Sequence, residues 1–450
     1  PYHDWNERIT AECYAPNARA RILDGQDRIV EIVNNYSRIS FNFGPTLLSW
    51  LEGEAPEVYR AILDADVQSR ERFSGHGSAM AQAYNHVILP LASRRDKQTQ
   101  VLWGIRDFEL RFGRRPEGMW LPETAADTET LEVLAELGMR FTVLAPSQAR
   151  RVRPLGGRAW KDVSGDRIDP SRAYEARLPS GRTIALFFYD GPISRAVAFE
   201  GLLRRGEYLA ERLSGAFSET RDWPQLVHIA TDGETYGHHH RHGEMALAYA
   251  LQHIEEQGLA RLTNYGEYLE RHPPTHQVEI LERTAWSCVH GVGRWSEDCG
   301  CSSGGHPYWN QSWRAPLRNA LDRVREDLDP RFEAAAGELL RDPWEARDAY
   351  VDVILDRGAE SRTRFLDHHR ARELDEAEQV RVLQLMELQR HGQLMYTSCG
   401  WFFDDLSGIE TVQVLQYAGA ALHLARLLFG EGVEPEFLER LGEARSNLPE

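Results

Sequence analysis

Two carboxylates follow predicted strands and could together cleave a glycosidic bond. Glu123 stands in the string GMWLPETA, directly after a β-rich run at Gly118–Leu121, and Asp232 stands in HIATDGETYGHHH, directly after a run at Leu226–Thr231. Glycosidic cleavage needs one carboxyl group at the anomeric carbon and another that donates a proton to the leaving oxygen. The plainer interpretations are an acid near a helix N-terminus for Glu123 and a turn residue before Gly233 for Asp232.

Other polar and aromatic side chains could hold a sugar beside these carboxylates. Asp190 follows a predicted strand at Thr183–Tyr189 and could bind a hydroxyl group or cap the next helix. Several Trp residues lie in segments without helical periodicity, which favours stacking on sugar rings over ordinary core packing. The predicted substrate-binding residues are His76, Trp120, Asp190, Glu234, His238, Trp286, Trp401 and Asp404.

One Cys/His pattern and one His run raise the question of a metal. Cys288, His290, Cys299 and Cys301 form a C-x-H…C-x-C pattern. Structural zinc sites usually have two-residue spacers between cysteines, so the single-residue spacers favour a reduced, partly buried loop over zinc. The adjacent imidazoles of His238–His240 cannot all face one ion. We therefore expect no metal and no other cofactor, and leave the zinc interpretation of the Cys/His pattern open.

Composition excludes two classes of partner. The 450 residues carry a net charge of −17, whereas binding to nucleic acid needs clustered Lys and Arg. The sequence has no run of about 18 apolar residues, so we expect no membrane span. Five cysteines, an odd number, fit reduced thiols, and we expect a cytoplasmic protein without a secretory segment.

The elements that must position these residues change in type along the chain. Residues 1–275 alternate β-rich runs with amphipathic stretches, which predicts a β/α barrel, whereas residues 276–450 read as a Trp/Cys-rich connection followed by helices. In such barrels the active site lies at the carboxyl ends of the strands. The other predicted strands and the predicted helices are Arg38–Phe43, Arg140–Leu144, Pro56–Arg72, Asp96–Phe112, Thr128–Leu137, Glu244–Glu256, Leu317–Leu328, Arg331–Leu340, Trp344–Leu355, Ala377–Met395 and Val412–Phe429.

The strings around the two carboxylates resemble the motifs of glycoside hydrolase family 57. Trp120–Glu123 is similar to the nucleophile motif, Thr231–Gly237 to the acid/base motif, and His86–Leu91 to the end of a further motif. This resemblance implies an incomplete (β/α)7 barrel followed by a helical domain, with Glu123 as nucleophile and Asp232 as proton donor. The stretches AWSCVHGVGRW, GHPYWNQSWRAPLR and MYTSCGWFFDDLSGIETVQ resemble a branch of the family with its own C-terminal helical region.

Two departures from the family pattern bear on this expectation. The family's first motif is missing, so the first barrel strand is expected to precede Pro1. Where amylase-like members carry a glutamate near Ser78, this chain has Gly75-His76-Gly77-Ser78, and we assign part of that polar role to His76.

The resemblance implies a retaining glycosidase or glucanotransferase, of the α-amylase or 4-α-glucanotransferase type, acting on an oligo- or polysaccharide. Two alternatives remain open at this point. One is a metal-dependent polysaccharide hydrolase or deacetylase using Asp232, His238 and His76. The other is a carbohydrate-binding protein without catalysis. The sequence sets neither the sugar and its linkage nor the oligomeric state.

Overall fold

A computed structural model of the chain describes residues 2–430, 432 and 434–448. It divides into two compact units that interleave along the sequence. Unit 1 comprises residues 1–82, 108–120 and 134–281, and unit 2 comprises residues 83–107, 121–133 and 282–450.

Parallel strands form the centre of unit 1. Ala81–Gln82 pairs with Met119–Trp120, and Phe141–Leu144 pairs with Thr183–Phe188, both in parallel. Single parallel bridges, Phe41 to Ala79 and Gly118 to Phe141, connect these pairs into one series. Successive parallel strands separated by helices are typical of α/β architecture, and their carboxyl ends lie at one edge.

Further strands, in antiparallel and parallel pairings, extend this series. Thr183–Phe188 also pairs with Tyr174–Arg177, which lies beside His276–Ile280. The sheet ends with two further strands, Ala149–Pro154 and Lys161–Asp162. A separate hairpin joins Ala20–Leu23 to Ile29–Val33.

Two predicted strands are wrong as regular strands. The segment predicted as Arg38–Phe43 forms a single bridge at Phe41. The segment predicted as Leu226–Thr231 forms no strand, although all of its residues are described. Separate backbone hydrogen bonds hold it, from Asp190 N to His228 O (2.9 Å) and from Leu226 N to Ser171 O (2.9 Å), so apolar β-type residues did not produce a ladder here.

The helices of unit 1 agree closely with the sequence periodicity where it is strong. Pro56–Arg72 is observed as predicted, and the predicted Glu244–Glu256 begins one residue earlier. The first helical segment contains a π-helical turn, Thr10–Tyr14, which the sequence analysis did not anticipate. The helical bounds are Trp5–Ile9, Thr10–Tyr14, Ala15–Ala18, Pro45–Glu54, Pro56–Arg72, Gly191–Phe199, Gly206–Ser214, Gly243–Glu256 and Tyr265–Arg271.

Unit 2 is helical. Two helices predicted on either side of Pro330 are one helix, Arg314–Gly337. Proline removes a helical hydrogen bond, but buried Leu328 and Phe332 flank it and pack into the core, which compensates for that loss. The remaining helices are Pro343–Ala349, Val351–Leu355, Ala359–His369, Glu376–Leu394, Cys399–Phe402, Ile409–Phe429 and Glu434–Leu441. Two further helices, Arg94–Phe112 and Thr128–Glu136, belong to unit 2 with their N-terminal portions only.

A buried ion pair connects residues 83–107 to the helices of unit 2. Arg347, 1% exposed, donates to Asp96 Oδ1 (2.8 Å), Gln389 Oε1 (2.9 Å) and Thr99 Oγ1 (2.7 Å). A buried charge is tolerated when it is paired and hydrogen-bonded in this way. The predicted domain boundary at residue 275 lies near Leu281, the last residue of unit 1, and the two units interleave before it.

The helices also bear on the expectation about membranes. Among the described residues, the structure contains no helix both long enough and apolar enough to cross a bilayer.

Candidate active site

Glu123 lies in a strained turn directly after the strand Met119–Trp120. The turn Pro122–Thr124 places Glu123 at φ 58° and Thr124 at φ 52°. Positive φ is unfavourable for side chains with a Cβ, and more so for β-branched threonine. Such strain persists only where the surroundings enforce it, and it concentrates at functional sites.

Two side chains of unit 2 hold the Glu123 carboxylate. Trp286 Nε1 donates to Glu123 Oε2 at 2.9 Å, and Ser287 Oγ donates to the same oxygen at 2.6 Å. The backbone N–H of Trp286 also donates to the Glu123 carbonyl at 3.0 Å. We call Trp286 and Ser287 the carboxylate clamp. Trp286 was predicted in the site as a sugar-stacking ring, and Ser287 was not predicted.

A histidine from the family-like HVILPL string also belongs to this environment. His86 has φ 55°, and its Nδ1 lies 2.6 Å from Ser398 Oγ. Burial lowers the pKa of His86, while the negative charge of Glu123 acts in the opposite direction. The imidazole is therefore favoured in its neutral form within electrostatic range of Glu123. His86 begins the string that resembles a family motif, but no role was predicted for this residue.

Asp232 lies in unit 1, exposed, at the start of the short turn Gly233–Thr235. The π-helical turn holds the segment that follows it. Tyr14 Oη donates to Glu234 Oε1, and Cys13 Sγ lies 3.3 Å from Gly233 O. Burial and the charge of Glu234 raise the pKa of Tyr14, so its hydroxyl stays protonated and can donate.

The same π-helical turn contacts the predicted site residue His238. Its Nδ1 lies 2.5 Å from Glu12 Oε2. Neither Glu12 nor Tyr14 was predicted, because a contact between residues more than 200 positions apart leaves no signal in one sequence.

Asp190 and Trp120 lie at the carboxyl ends of their strands, as predicted. Asp190 follows Thr183–Phe188, and its Oδ1 accepts from Ile193 N at 2.9 Å. This hydrogen bond is the helix cap that the sequence analysis gave as the alternative. Trp120 ends its strand with a half-buried side chain.

The prediction for His76 is wrong in position. His76 precedes the strand Ala81–Gln82, and its Nδ1 lies 2.9 Å from Glu117, which precedes the strand Met119–Trp120. It therefore lies at the amino ends of the strands, opposite the edge used by β/α active sites. Its Nε2 lies 2.6 Å from Glu270 Oε2, so both ring nitrogens have carboxylate partners.

Trp401 and Asp404 are also placed differently from the prediction. Trp401 is 1% exposed and lies in the core of unit 2 with Trp295 and Trp313, so it cannot stack on a sugar in this structure. Asp404, 4% exposed, accepts from Ser303 N (2.6 Å) and Ser303 Oγ (2.5 Å). Absence of periodicity in a segment did not mean exposure, since loops also contribute large rings to a core.

The metal-dependent alternative needed Asp232, His238 and His76 around one ion. Within the described chain, the one group of three or more His, Cys, Asp or Glu side chains placed to share an ion is Cys288, His290, Cys299 and Cys301. The predicted trio is therefore not assembled.

Comparison with known proteins gives two matching regions. The model of glycosyl hydrolase family 57 matches residues 6–280. That of a domain of unknown function, DUF3536, matches residues 309–450. The curated Alpha-amylase 1 of Dictyoglomus thermophilum is 27% identical over 106 residues, which are 24% of this chain and 15% of that protein.

Solved structures share the fold at low identity. An exo-type maltose-forming amylase from Pyrococcus sp. ST04 has a TM-score of 0.72 at 16% identity, covering 97% of this chain and 74% of that one. A branching enzyme from Pyrococcus horikoshii has a TM-score of 0.59 at 16% identity, covering 100% and 94%. A 4-alpha-glucanotransferase from Thermococcus litoralis has a TM-score of 0.53 at 14% identity, covering 95% and 56%.

Proposed function

The chain belongs to glycosyl hydrolase family 57, and on that premise we propose that it is a retaining glycoside hydrolase or glucanotransferase acting on α-glucan-type carbohydrate. Glu123 is the nucleophile and Asp232 the proton donor. The observation that carries this proposal is the carboxylate clamp, which fixes one glutamate in a strained turn at the end of a strand.

The clamp suits a nucleophile. Both donors contact Oε2, and we assign the attack on the anomeric carbon to the other oxygen, Oε1. The two hydrogen bonds hold the carboxylate from one side. They also fix the direction of the carboxylate, so that little ordering remains to be done when the sugar binds.

Asp232 suits a group that must exchange protons. In the first step it protonates the leaving oxygen, and in the second it activates water or an acceptor sugar. Its exposed position gives an acceptor access, and Glu234 and His238, anchored by the π-helical turn, define the following segment. Hydrolysis and transfer differ only in which acceptor reaches the glycosyl-enzyme intermediate.

We retain a shorter set of sugar-binding residues than the sequence predicts. Trp120 and Trp286 are half-buried aromatic rings next to the nucleophile in sequence or in space. Glu234 and His238 remain candidates for hydroxyl groups. Asp190 is left with its capping role in this proposal, and His76, Trp401 and Asp404 are not included.

The two roles can be separated with an α-maltosyl fluoride, whose leaving group needs no acid. Glu123→Gln should abolish turnover of both malto-oligosaccharides and the fluoride. Asp232→Asn should abolish turnover of malto-oligosaccharides but keep formation of the glycosyl-enzyme from the fluoride, seen by mass spectrometry. Glu360→Gln and Asp222→Asn, exposed carboxylates, are the matched controls.

Two outcomes would contradict the proposal. If Glu123→Gln keeps wild-type turnover of an α-glucan that the full chain cleaves, Glu123 is not the nucleophile. If the full chain binds malto-oligosaccharides but turns over neither them nor the fluoride, the carbohydrate-binding alternative replaces the enzyme.

A further inference from the structure

Three thiols and one imidazole converge in the connecting segment of unit 2. Cys288 Sγ lies 3.9 Å from Cys299 Sγ and 3.7 Å from Cys301 Sγ. His290 Nδ1 lies 3.6 Å from Cys301 Sγ. All four ligand atoms lie within 4.8 Å of one another.

These separations match the edges of a tetrahedral zinc site. With Zn–S bonds of about 2.3 Å and Zn–N bonds of about 2.0–2.1 Å, tetrahedral geometry places two sulfurs about 3.8 Å apart and a sulfur and a nitrogen about 3.6 Å apart. The observed distances of 3.7, 3.9 and 3.6 Å agree with both edges. A disulfide would instead need sulfurs about 2.05 Å apart, and all of these cysteines are free.

The surroundings of the sulfurs are those expected around thiolates. Arg314, 0% exposed, places Nη1 3.8 Å from Cys299 Sγ and donates from the same nitrogen to Cys301 O at 2.9 Å. A buried positive charge beside the sulfurs stabilises a ligand set with three negative thiolates.

Glycines explain how the unusual single-residue spacers can converge. Gly291 has φ 78° and Gly300 has φ 74°, values that permit tight turns next to the ligands. A Cβ on Gly293 would lie 3.2 Å from Cys299 Cβ and 3.6 Å from His290 Cβ. The absence of that Cβ lets the two arms of the segment approach each other.

We propose that Cys288, His290, Cys299 and Cys301 bind one structural zinc ion. This replaces the expectation of no metal that the short spacers gave. All four tetrahedral positions are filled by protein, so the site is closed and its role is to hold the segment.

The site has a consequence for the carboxylate clamp, and this consequence rests on the proposed function. Cys288 follows Ser287 and Trp286 directly, so the metal fixes one end of the segment that holds Glu123. The metal-binding residues are then positioning residues for the nucleophile. They do not touch the sugar.

Metal content tests the site without any assay of activity. The full chain, purified without a metal-affinity tag, should contain about one equivalent of zinc. After removal of the metal, Co²⁺ should give the intense d–d and thiolate charge-transfer bands of a tetrahedral sulfur-rich site. A chain that takes up neither Zn²⁺ nor Co²⁺, or that shows a disulfide among these three cysteines, overturns the proposal.

Variants assign the ligands. Cys301→Ser should lower the affinity for Zn²⁺ at least tenfold, while Cys399→Ser, a cysteine of the same unit outside the cluster, should keep it. Because Cys301→Ser could unfold the segment, exposed His290 supplies a second test. His290→Ala should weaken zinc binding, and His290→Cys should restore it and shift the Co²⁺ bands toward a four-sulfur site. Equal zinc affinity in all of these variants overturns the assignment.

The coupling to the clamp has its own readout. Removal of zinc should lower kcat with little change in KM and should change the tryptophan fluorescence, whereas Trp286→Phe should lose the fluorescence change. If zinc binds but its removal leaves kcat unchanged, the metal site stands and the coupling fails. If the enzyme proves inactive under all conditions, the metal and Co²⁺ measurements still decide the site.

Discussion

At the scale of single residues, the clamp makes Glu123 depend on two donors of different kinds. Trp286→Phe keeps the ring but removes the Nε1–H donor, and Ser287→Ala removes the Oγ–H donor. A hydrogen bond to a charged group contributes about 1.5–3 kcal/mol, so each change should lower kcat by about ten- to hundredfold. Steady-state kinetics on malto-oligosaccharides measure this effect.

Trp309→Phe, in a tryptophan that stacks on His306, is the matched control. Equal losses in kcat for Trp286→Phe and Trp309→Phe would contradict a specific role for the clamp.

His228 makes the stability of the protein depend on pH. Its Nδ1 lies 3.0 Å from Tyr265 Oη and its Nε2 lies 3.2 Å from Pro170 O, an arrangement that suits the neutral ring. Burial lowers the pKa of His228 to about 4. The unfolded chain takes up this proton near its ordinary pKa of about 6.5. The neutral ring therefore makes its full contribution to the free energy of unfolding above pH 6.5. This contribution, about 3 kcal/mol, is lost as the pH falls toward 4.

The corresponding prediction is a shallower pH profile in a variant. The free energy of unfolding is measured by denaturant titration between pH 6.5 and 4.5. Its slope against pH reports how many protons are taken up on unfolding, and His228→Gln should reduce that number by up to one. His423→Gln, in an exposed residue, should keep the wild-type slope. An unchanged slope in His228→Gln would show that this ring is not the group that titrates.

Residue types with a fixed chemical requirement could be proposed for the site from the sequence, whereas residues that act through distant partners could not. Glu123 and Asp232 stand in recognisable strings at the ends of apolar runs. Ser287 and Tyr14 act through contacts with residues 164 and 220 positions away in the chain, which one sequence does not encode locally. For Trp401 the sequence showed an aromatic residue near a turn, and only the structure shows that it is buried.

At the scale of elements, the π-helical turn and the segment after Asp232 fit closely at one glycine. Gly237 has φ 145°, and a Cβ there would lie 2.2 Å from the backbone oxygen of Glu12. Gly237→Ala should therefore displace the π-helical turn and lower the free energy of unfolding by about 1–3 kcal/mol. Gly233→Ala, in the same segment but with nothing within 4 Å of its added Cβ, should change it by about 0.5 kcal/mol or less. Denaturant titrations compare the two variants, and equal stability would contradict the close fit.

Helices and strands were predictable where the apolar periodicity extended over many residues. The prediction failed where strand pairing was incomplete. Pro56–Arg72 has repeated apolar positions and was bounded correctly. The run at residues 226–231 has β-type residues, yet a strand also requires partners with continuous backbone hydrogen bonds. The sequence predicts separate helices before and after Pro330, but the apolar face of Arg314–Gly337 continues through this residue.

At the scale of the whole molecule, the two units cannot be separated by one cut in the chain. Unit 2 needs residues 83–107 and 121–133, whose buried Val87, Ile88 and Ala125 pack with the tryptophan-rich core. A truncated chain of residues 1–281 would expose these side chains and leave Asp96 without Arg347. Loss of one partner of a buried ion pair costs about 3–5 kcal/mol.

The truncation is therefore expected to fail as an independent protein. Residues 1–281 should aggregate or show non-cooperative unfolding by circular dichroism, although they include the whole of the family match at 6–280. The full chain is the control. Cooperative unfolding of the fragment, with turnover of malto-oligosaccharides, would contradict this prediction.

The interleaved order of the units also restricts how this protein can change during evolution. Glu123 is encoded upstream of most of unit 1, yet it packs with Trp286 and Ser287, which are encoded after that unit ends. A recombination event that exchanged the 3′ part of the gene would pair the turn of one lineage with the clamp of another. Such chimeras should survive only between close homologues, so the two ends of the reading frame are expected to be inherited together.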